Sequence, residues 1–412
     1  MAILNGNEIL FSPIVNFGEG GGAITSDGQP IPVNSAEEMD SIITNATETD
    51  IGKIYIFLGA STETYEQDAL YIITDGEGGS VSYDIGIIIN STTSGGAIAD
   101  IDVYGKTIPL NFFLNKTGLT KVKILDGSEV IGESAFEDCT GLTSIEFPDT
   151  LISISKKSFY YCTKLTAINI PNNVQYIGES AFNNCTALTE VYWNAQNIKA
   201  VGNTSLPIFE YCKKISTLVF GDDVKSIPSY IFRECTSPFG NVVLPEGVEY
   251  VGQDAFYGAT GLTSINIPSS VTSFGTYTFY KCTGLTTVYW NAPNIASVGS
   301  TQYPIFDSCS ALTNFIIGEN VVTLPQYMLR ECTGIVDITI PKNVDTVGDQ
   351  AFYSCTKLAN VTFKGTPTTI ASNAFGSCSA LTTINVPWAE GAVANAPWGA
   401  TNATINYNYT EG

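Results

Sequence analysis

One segment recurs about every 23 residues through most of the chain, and this period constrains the fold more than any other feature. Aligned on Cys139, the same surroundings return at Cys162, Cys185, Cys212, Cys235, Ala259, Cys282, Cys309, Cys332, Cys355 and Cys378, with two longer steps of 27. One unit reads roughly V-x-x-I-G-x-x-A-F-x-x-C-T-x-L-T-x-I-x-I-P, and residues 177–193, IGESAFNNCTALTEVYW, are a clear copy. Its apolar residues, such as Leu142, Ile145 and Phe147 or Leu262, Ile265 and Ile267, predict a short strand that turns one set of side chains inward. Pro148, Pro171, Pro245, Pro268, Pro341 and Pro387 follow the strand, where a missing donor and a fixed φ end the ladder. Phe136, Phe182, Phe256, Phe352 and Phe375 then anchor the returning arc. One such coil cannot bury its own apolar face, whereas a stack of coils shares a continuous core.

A period of about 20–29 residues built on L-x-x-I-x-I is that of a leucine-rich repeat. The expected fold is a right-handed repeat solenoid, mostly β with short helical or 3-10 arcs, over residues 98–386. Twelve strands end near Ile124, Phe147, Ile170, Trp193, Phe220, Leu244, Ile267, Trp290, Ile317, Ile340, Phe363 and Val386, and Ile98, Ile101, Val103 and Phe113 supply a thirteenth coil. A longer period is superimposed: residues 185–212 and 282–309 match at an offset of 97, so a four-coil cassette was duplicated. The two 27-residue units gain residues around Asn203–Pro207 and Ser300–Pro304, expected as loops on one side of the solenoid. Before residue 98 the pattern changes. Residues 1–35 read as an extended glycine-rich segment with EGGG (19–22) as a linker, and 36–97 as a small mixed module or N-terminal cap. That module should hold a short helix near 36–46 and strands at 53–58, 69–74 and 81–89. Residues 387–412 leave the repeat and read as a C-terminal cap.

Charge and residue types exclude several functions. With 18 Lys+Arg against 40 Asp+Glu the net charge is -22, which repels nucleic acid and anionic lipid. No run of eighteen apolar residues predicts membrane insertion, and MAILNGNEILFSPIVNFGEG carries no basic n-region with an apolar h-region, so the chain is expected to be made in a cytoplasm. Histidine is absent, which removes Ser-His-Asp and Cys-His nucleophilic sites and histidine-ligated metals. Acids do not recur at a marked point of the repeat, no nucleotide-binding loop is seen, and Asp100 and Asp102 are too few for a calcium loop. The expectation is therefore no catalysis, no cofactor and no metal. All ten cysteines share one repeat position, and Ala259 splits them into two blocks of five, so neighbour pairing would leave a thiol over in each. They read as a buried ladder of reduced thiols.

The outward positions of the strands are more informative: Lys123, Glu146, Asn169, Tyr192, Val219, Val243, Asn266, Tyr289, Ile316, Thr339, Thr362 and Asn385. Most are small and polar. Tyr192, Val219 and Val243 form one apolar island and Tyr289 with Ile316 another, while Asn169 and Asn266 flank them. Tyrosines favour strands in any sheet. Aromatic contact points for a protein or carbohydrate ligand are the functional alternative, with these seven residues as candidates.

IGESAFEDCTGLTSIEFP (131–148), IGESAFNNCTALTEV and VGDQAFYSCTKLANVTF (347–363) resemble the BspA-like leucine-rich repeats of bacterial surface adhesins and some protozoa. That resemblance implies a solenoid that binds host or cell-surface ligands, and carries over no ligand residues. MAILNGNEILFSPIVN and PWAEGAVANAPWGATNATINYNY look like the ends of phage tail or virion structural proteins. This second resemblance implies a particle component that is attached through the N-terminal region to other particle proteins, trimeric by analogy with tail fibres, and that recognises a bacterial surface through its solenoid. The alternatives are a bacterial surface adhesin without its leader and a purely structural virion component.

Overall fold

In the computed structural model, residues 98–410 are described apart from 199–200, 203–205, 296–297 and 299–304; before residue 98 the backbone of eight short strands is described. The chain divides into two compact units, Met1–Leu188 and Thr189–Gly412. Parallel-strand coils of leucine-rich-repeat type run through both, about thirteen in all.

In the first unit, Ile98–Tyr104 pairs antiparallel with Gly86–Thr92 on one side and parallel with Lys121–Ile124 on the other. This strand is thus both the last of the N-terminal sheet, which continues through Ile54–Ile56 to Ala23–Ile24, and the first rung of the parallel ladder. Separate antiparallel pairs join Ala2–Asn5 to Glu8–Phe11 and Ile72–Thr74 to Ser82–Asp84. Where strands are expected at 53–58, 69–74 and 81–89, the described strands are Ile54–Ile56, Ile72–Thr74, Ser82–Asp84 and Gly86–Thr92, whereas the expected helix near 36–46 lies outside the described residues. Lys121–Ile124 alternates exposed and buried, as a strand with one face on the core must.

Where Pro148, Pro171, Pro245, Pro268 and Pro341 follow a strand, the proline carbonyl accepts from the amide three residues on, as Pro148 does from Leu151 and Pro268 from Val271, closing a turn. A two-residue strand follows, forming a second parallel ladder (Thr107–Ile108, Val130–Ile131, Ser153–Ile154, Tyr176–Ile177). The glycine after it is required by close approach: a Cβ on Gly132 would lie 2.6 Å from the Ile108 carbonyl oxygen.

The arcs depart from the helical or 3-10 form expected of them. They are successive turns, and no helix occurs among the described residues. In each arc alternate amides donate to the next coil, as Ser134, Phe136 and Asp138 do to Lys156, Ser158 and Tyr160. This geometry holds the residue before the cysteine position at positive φ coil after coil: Asp138 (59°), Tyr161 (60°), Glu234 (55°), Lys281 (58°), Glu331 (65°), Ser354 (58°). The inter-coil hydrogen bond offsets the strain. Inside, the arc phenylalanines stack, Phe113 on Phe136 at 4.9 Å and Phe136 on Phe159 at 5.1 Å in the first unit, Phe279 on Phe306 at 5.1 Å in the second.

All ten cysteines are free and buried. Their thiols act as weak donors to the arc: Cys139 Sγ reaches the Phe113 carbonyl at 3.0 Å, Cys282 that of Phe256 at 2.9 Å and Cys355 that of Leu329 at 3.1 Å. Burial pushes the Cys139 and Cys235 thiols up to about 12, so they stay protonated and unreactive.

The second unit's ladder is interrupted. Glu190–Trp193 pairs with Thr217–Phe220; Gly240–Val243, Leu262–Ile267, Thr287–Trp290 and Asn314–Ile317 form a second set; Asp337–Ile340, Asn360–Phe363, Thr383–Asn385 and Thr404–Asn406 a third. At the end, Trp398 is fully buried, its indole nitrogen donates to the Ala394 carbonyl at 2.7 Å, and its own carbonyl accepts from the Phe375 amide, so the last arc has its acceptor.

Candidate binding face

The strand alternation places all twelve residues of the outward column away from the core. In the first unit this column is ionic and polar: Lys123 Nζ lies 3.7 Å from Glu146 Oε2 on the adjacent strand, and Asn169 is exposed.

In the second unit the column turns apolar and then polar again. Tyr192 stands directly opposite Val219, and Val243, Asn266, Tyr289 and Ile316 are successive partners in one register. Their exposures are substantial for apolar side chains: Tyr192 37%, Val219 45%, Val243 53%, Tyr289 45% and Ile316 44%. The sheet regroups the islands expected from sequence. Val243 belongs with Tyr289 and Ile316 in the ladder, and among the described residues no ladder bond joins its strand to that of Val219. Asn266 sits between Val243 and Tyr289 and accepts from Asn291 Nδ2 at 3.1 Å. Beyond Ile316 the column is Thr339, Thr362 and Asn385, where Asn385 Nδ2 donates to Thr362 Oγ1 at 3.3 Å and Asn406 Nδ2 to Asn385 Oδ1 at 2.8 Å. The polar end therefore satisfies itself, and the apolar stretch is the part of the face that gains most by being covered.

The two tyrosines differ. Tyr192 donates its hydroxyl to Glu190 Oε2 at 3.1 Å, and this carboxylate holds its ionisation above the ordinary tyrosine value. Thr287 occupies the position of Glu190 in the second copy of the cassette, so Tyr289 has no such partner.

Both tyrosines lie in coils of 27 residues, and the inward residue that follows each is a fully buried tryptophan, Trp193 and Trp290. Neither indole Nε1 has a hydrogen-bond partner among the described residues. Most of the expected loops, 203–205 and 299–304, lie outside the described residues.

Sequence reasoning overlooked a second outward column. The residue after the arc phenylalanine is Tyr160, Arg233, Tyr257, Tyr280 and Tyr353 in five coils, and Arg330 follows Leu329 at the same position. The chain's two arginines are both here, in corresponding coils of the cassette, which is the signal that could have found it. The Arg233 guanidinium lies 4.0 Å from the Tyr257 ring centroid and Nη1 contacts Asp254 Oδ2 at 2.5 Å. Burial raises the Asp254 carboxyl, and Arg233 opposes that shift. Among the described residues no group of His, Cys, Asp or Glu is placed to hold a metal ion, and no helix is long and apolar enough to cross a membrane.

The chain is similar in structure to a leucine-rich repeat protein from Bacteroides ovatus (22% identity, 78% of this chain and 98% of that one, TM-score 0.44). It is also similar to a leucine rich cell surface protein from Faecalibacterium prausnitzii (19% identity, 84% and 93%, TM-score 0.32) and to a leucine rich repeat protein from T. pallidum (22% identity, 54% and 86%, TM-score 0.27). Comparison with curated proteins gives no match. The family profile of the BspA type leucine rich repeat region matches residues 106–238, 203–303 and 291–392, which together span well over half of the chain. By this repeat, carried coil after coil through both units, the protein belongs to the BspA-type leucine-rich repeat family.

Proposed function

We propose that the protein is a non-enzymatic adhesion protein whose strand face in the second unit binds a protein or carbohydrate ligand on a cell surface. The observation that carries this reading is the pair of apolar steps, Tyr192 beside Val219 and Tyr289 beside Ile316, exposed at equivalent points of a duplicated cassette. Large exposed side chains on a rigid ladder lose little freedom on binding, and tyrosine is among the residue types that dominate interface energetics. Val219, Val243 and Ile316 widen the contact, and Asn266 supplies a polar contact along the column.

Family membership supports a placement on a bacterial surface. A phage-like particle, with residues 1–97 as the attachment, is the second placement proposed, and immunolabelling of cells and of purified particles separates the two. Binding of the full chain to intact cells, with and without the two tyrosines, tests the function itself.

A further inference from the structure

We infer a second binding site on the arc side of the second unit, a trough built to take a neutral saccharide. The trough has a volume of 630 Å³ and is lined by Glu234, Tyr257, Gly258, Lys281 and the hydroxyls of Thr260, Thr283, Ser308 and Ser310. That volume lies within the roughly 300–1,000 Å³ of small-ligand sites.

The trough arises where the repeat breaks its own pattern. The residue before the cysteine position stands at positive φ in every coil from Asp138 to Ser377, and in this coil alone it is a glycine, Gly258 (φ +66°), followed by Ala259 in place of cysteine. The backbone does not demand the glycine, because Glu234 and Lys281 hold the same conformation in the coils on either side. A Cβ on Gly258 would meet nothing closer than Glu234 Cγ at 3.6 Å. What the glycine does is leave the floor open between two fixed walls. Glu234 is held by Arg233 (Nη2 to Oε1, 3.3 Å), and Lys281 Nζ rests over the rings of Tyr280 at 5.2 Å and Tyr257 at 5.8 Å. Two coil steps separate these walls, about 10 Å along the stack.

A second observation is independent of the glycine. At the position after the cysteine a hydroxyl can donate to the coil before it, as Thr186 does to the Thr163 carbonyl and Ser379 to that of Thr356. Thr260, Thr283 and Ser310 are exposed and make no side-chain hydrogen bond among the described residues, so three adjacent hydroxyls are free to donate and accept. Arg233, Lys281, Asp254 and Glu234 balance in charge, two against two, within a chain of net charge -22. A site that offers hydroxyls, one carboxylate and one ammonium, with no net charge between them, matches a ligand whose own hydroxyls both donate and accept, which is a sugar chain.

The test is titration of the full chain, followed by NMR or calorimetry, with maltotriose, cellotriose, mannotriose and triacetylchitotriose, alongside Gly258→Gln and Lys281→Ala. Gly258→Gln closes the trough with a side chain of the kind its neighbours carry, and Lys281→Ala removes an exposed wall; melting temperatures establish that both fold. The expected result is saturable binding of at least one trisaccharide, weakened tenfold or more by either variant. Binding of none of the four sugars, or binding that a folded Gly258→Gln leaves intact, overturns the proposal.

Discussion

Cys162 Sγ donates to the main-chain carbonyl of Phe136 at 3.2 Å, from one coil to the arc of the coil before it. The same link joins Cys185 to Phe159 and Cys378 to Phe352. Each arc turns its phenylalanine ring inward and leaves that residue's carbonyl near the core, where a small side chain with a weak donor suits both the space and the acceptor.

Thiol inertness follows. Native protein should show no reaction with a thiol reagent at pH 8, and all ten thiols should react once it is unfolded. Because burial raises the Cys139 and Cys235 thiols to about 12 against an ordinary 9.0, the unfolded chain loses these two protons first as pH rises. The stability these two thiols contribute is complete below pH 9 and is lost between 9 and 12, at about 1.4 kcal/mol per pH unit for each of the two. Denaturant titrations across that window should show a steep alkaline fall; a flat profile contradicts the burial argument.

The positive-φ column predicts an unusual tolerance pattern. Ser354 stands at φ 58° and its amide donates to the Gly376 carbonyl at 2.8 Å. Ser354→Val should cost about 1–3 kcal/mol, since a β-branched residue is strained there, while Ser354→Gly should leave the melting temperature unchanged. Equal effects of the two substitutions on thermal melts would contradict the assigned backbone.

Arg233 and Asp254 form a pair with little water around it, their side chains 13% and 4% exposed. Arg233→Ala strands the carboxylate, whose Oδ1 already has no partner among the described residues, and should cost about 3–5 kcal/mol. Arg233→Ala combined with Asp254→Asn should recover part of that loss in a double-mutant cycle.

Ile265 is fully buried and pairs with Val242 on one side and Val288 on the other. Ile265→Asp should cost at least about 4 kcal/mol and broaden unfolding, because neighbouring coils supply each other's stability. Retention of a sharp transition at the original temperature would contradict the register.

Much of this architecture is legible in the sequence. The 23-residue period, the proline that follows about half of the strands, the arc phenylalanine and the alternation around Ile145 or Ile265 belong to one local pattern that tertiary packing does not override. The arcs were less legible, since Asp138, Tyr161, Glu234, Lys281 and Ser354 share a left-handed backbone but no residue type; the inter-coil amide bonds impose it, and no side-chain preference marks it. The two-residue second ladder is too short to carry a periodic signal. The break in the ladder between Val219 and Val243 is not marked by the column of outward side chains, which continues through it. The trough at Gly258 was visible only as a missing cysteine, since its lining comes from four successive coils.

The most direct test of the strand face is binding of the full chain to a panel of intact bacteria and their isolated surface glycans and proteins, with Tyr192→Ala and Tyr289→Ala together in parallel. The account predicts saturable, strain-specific binding that falls at least tenfold in the double variant, about 1.4 kcal/mol, with its melting temperature unchanged. Binding that the folded double variant retains in full, or no binding to any cell or isolated component, would contradict it.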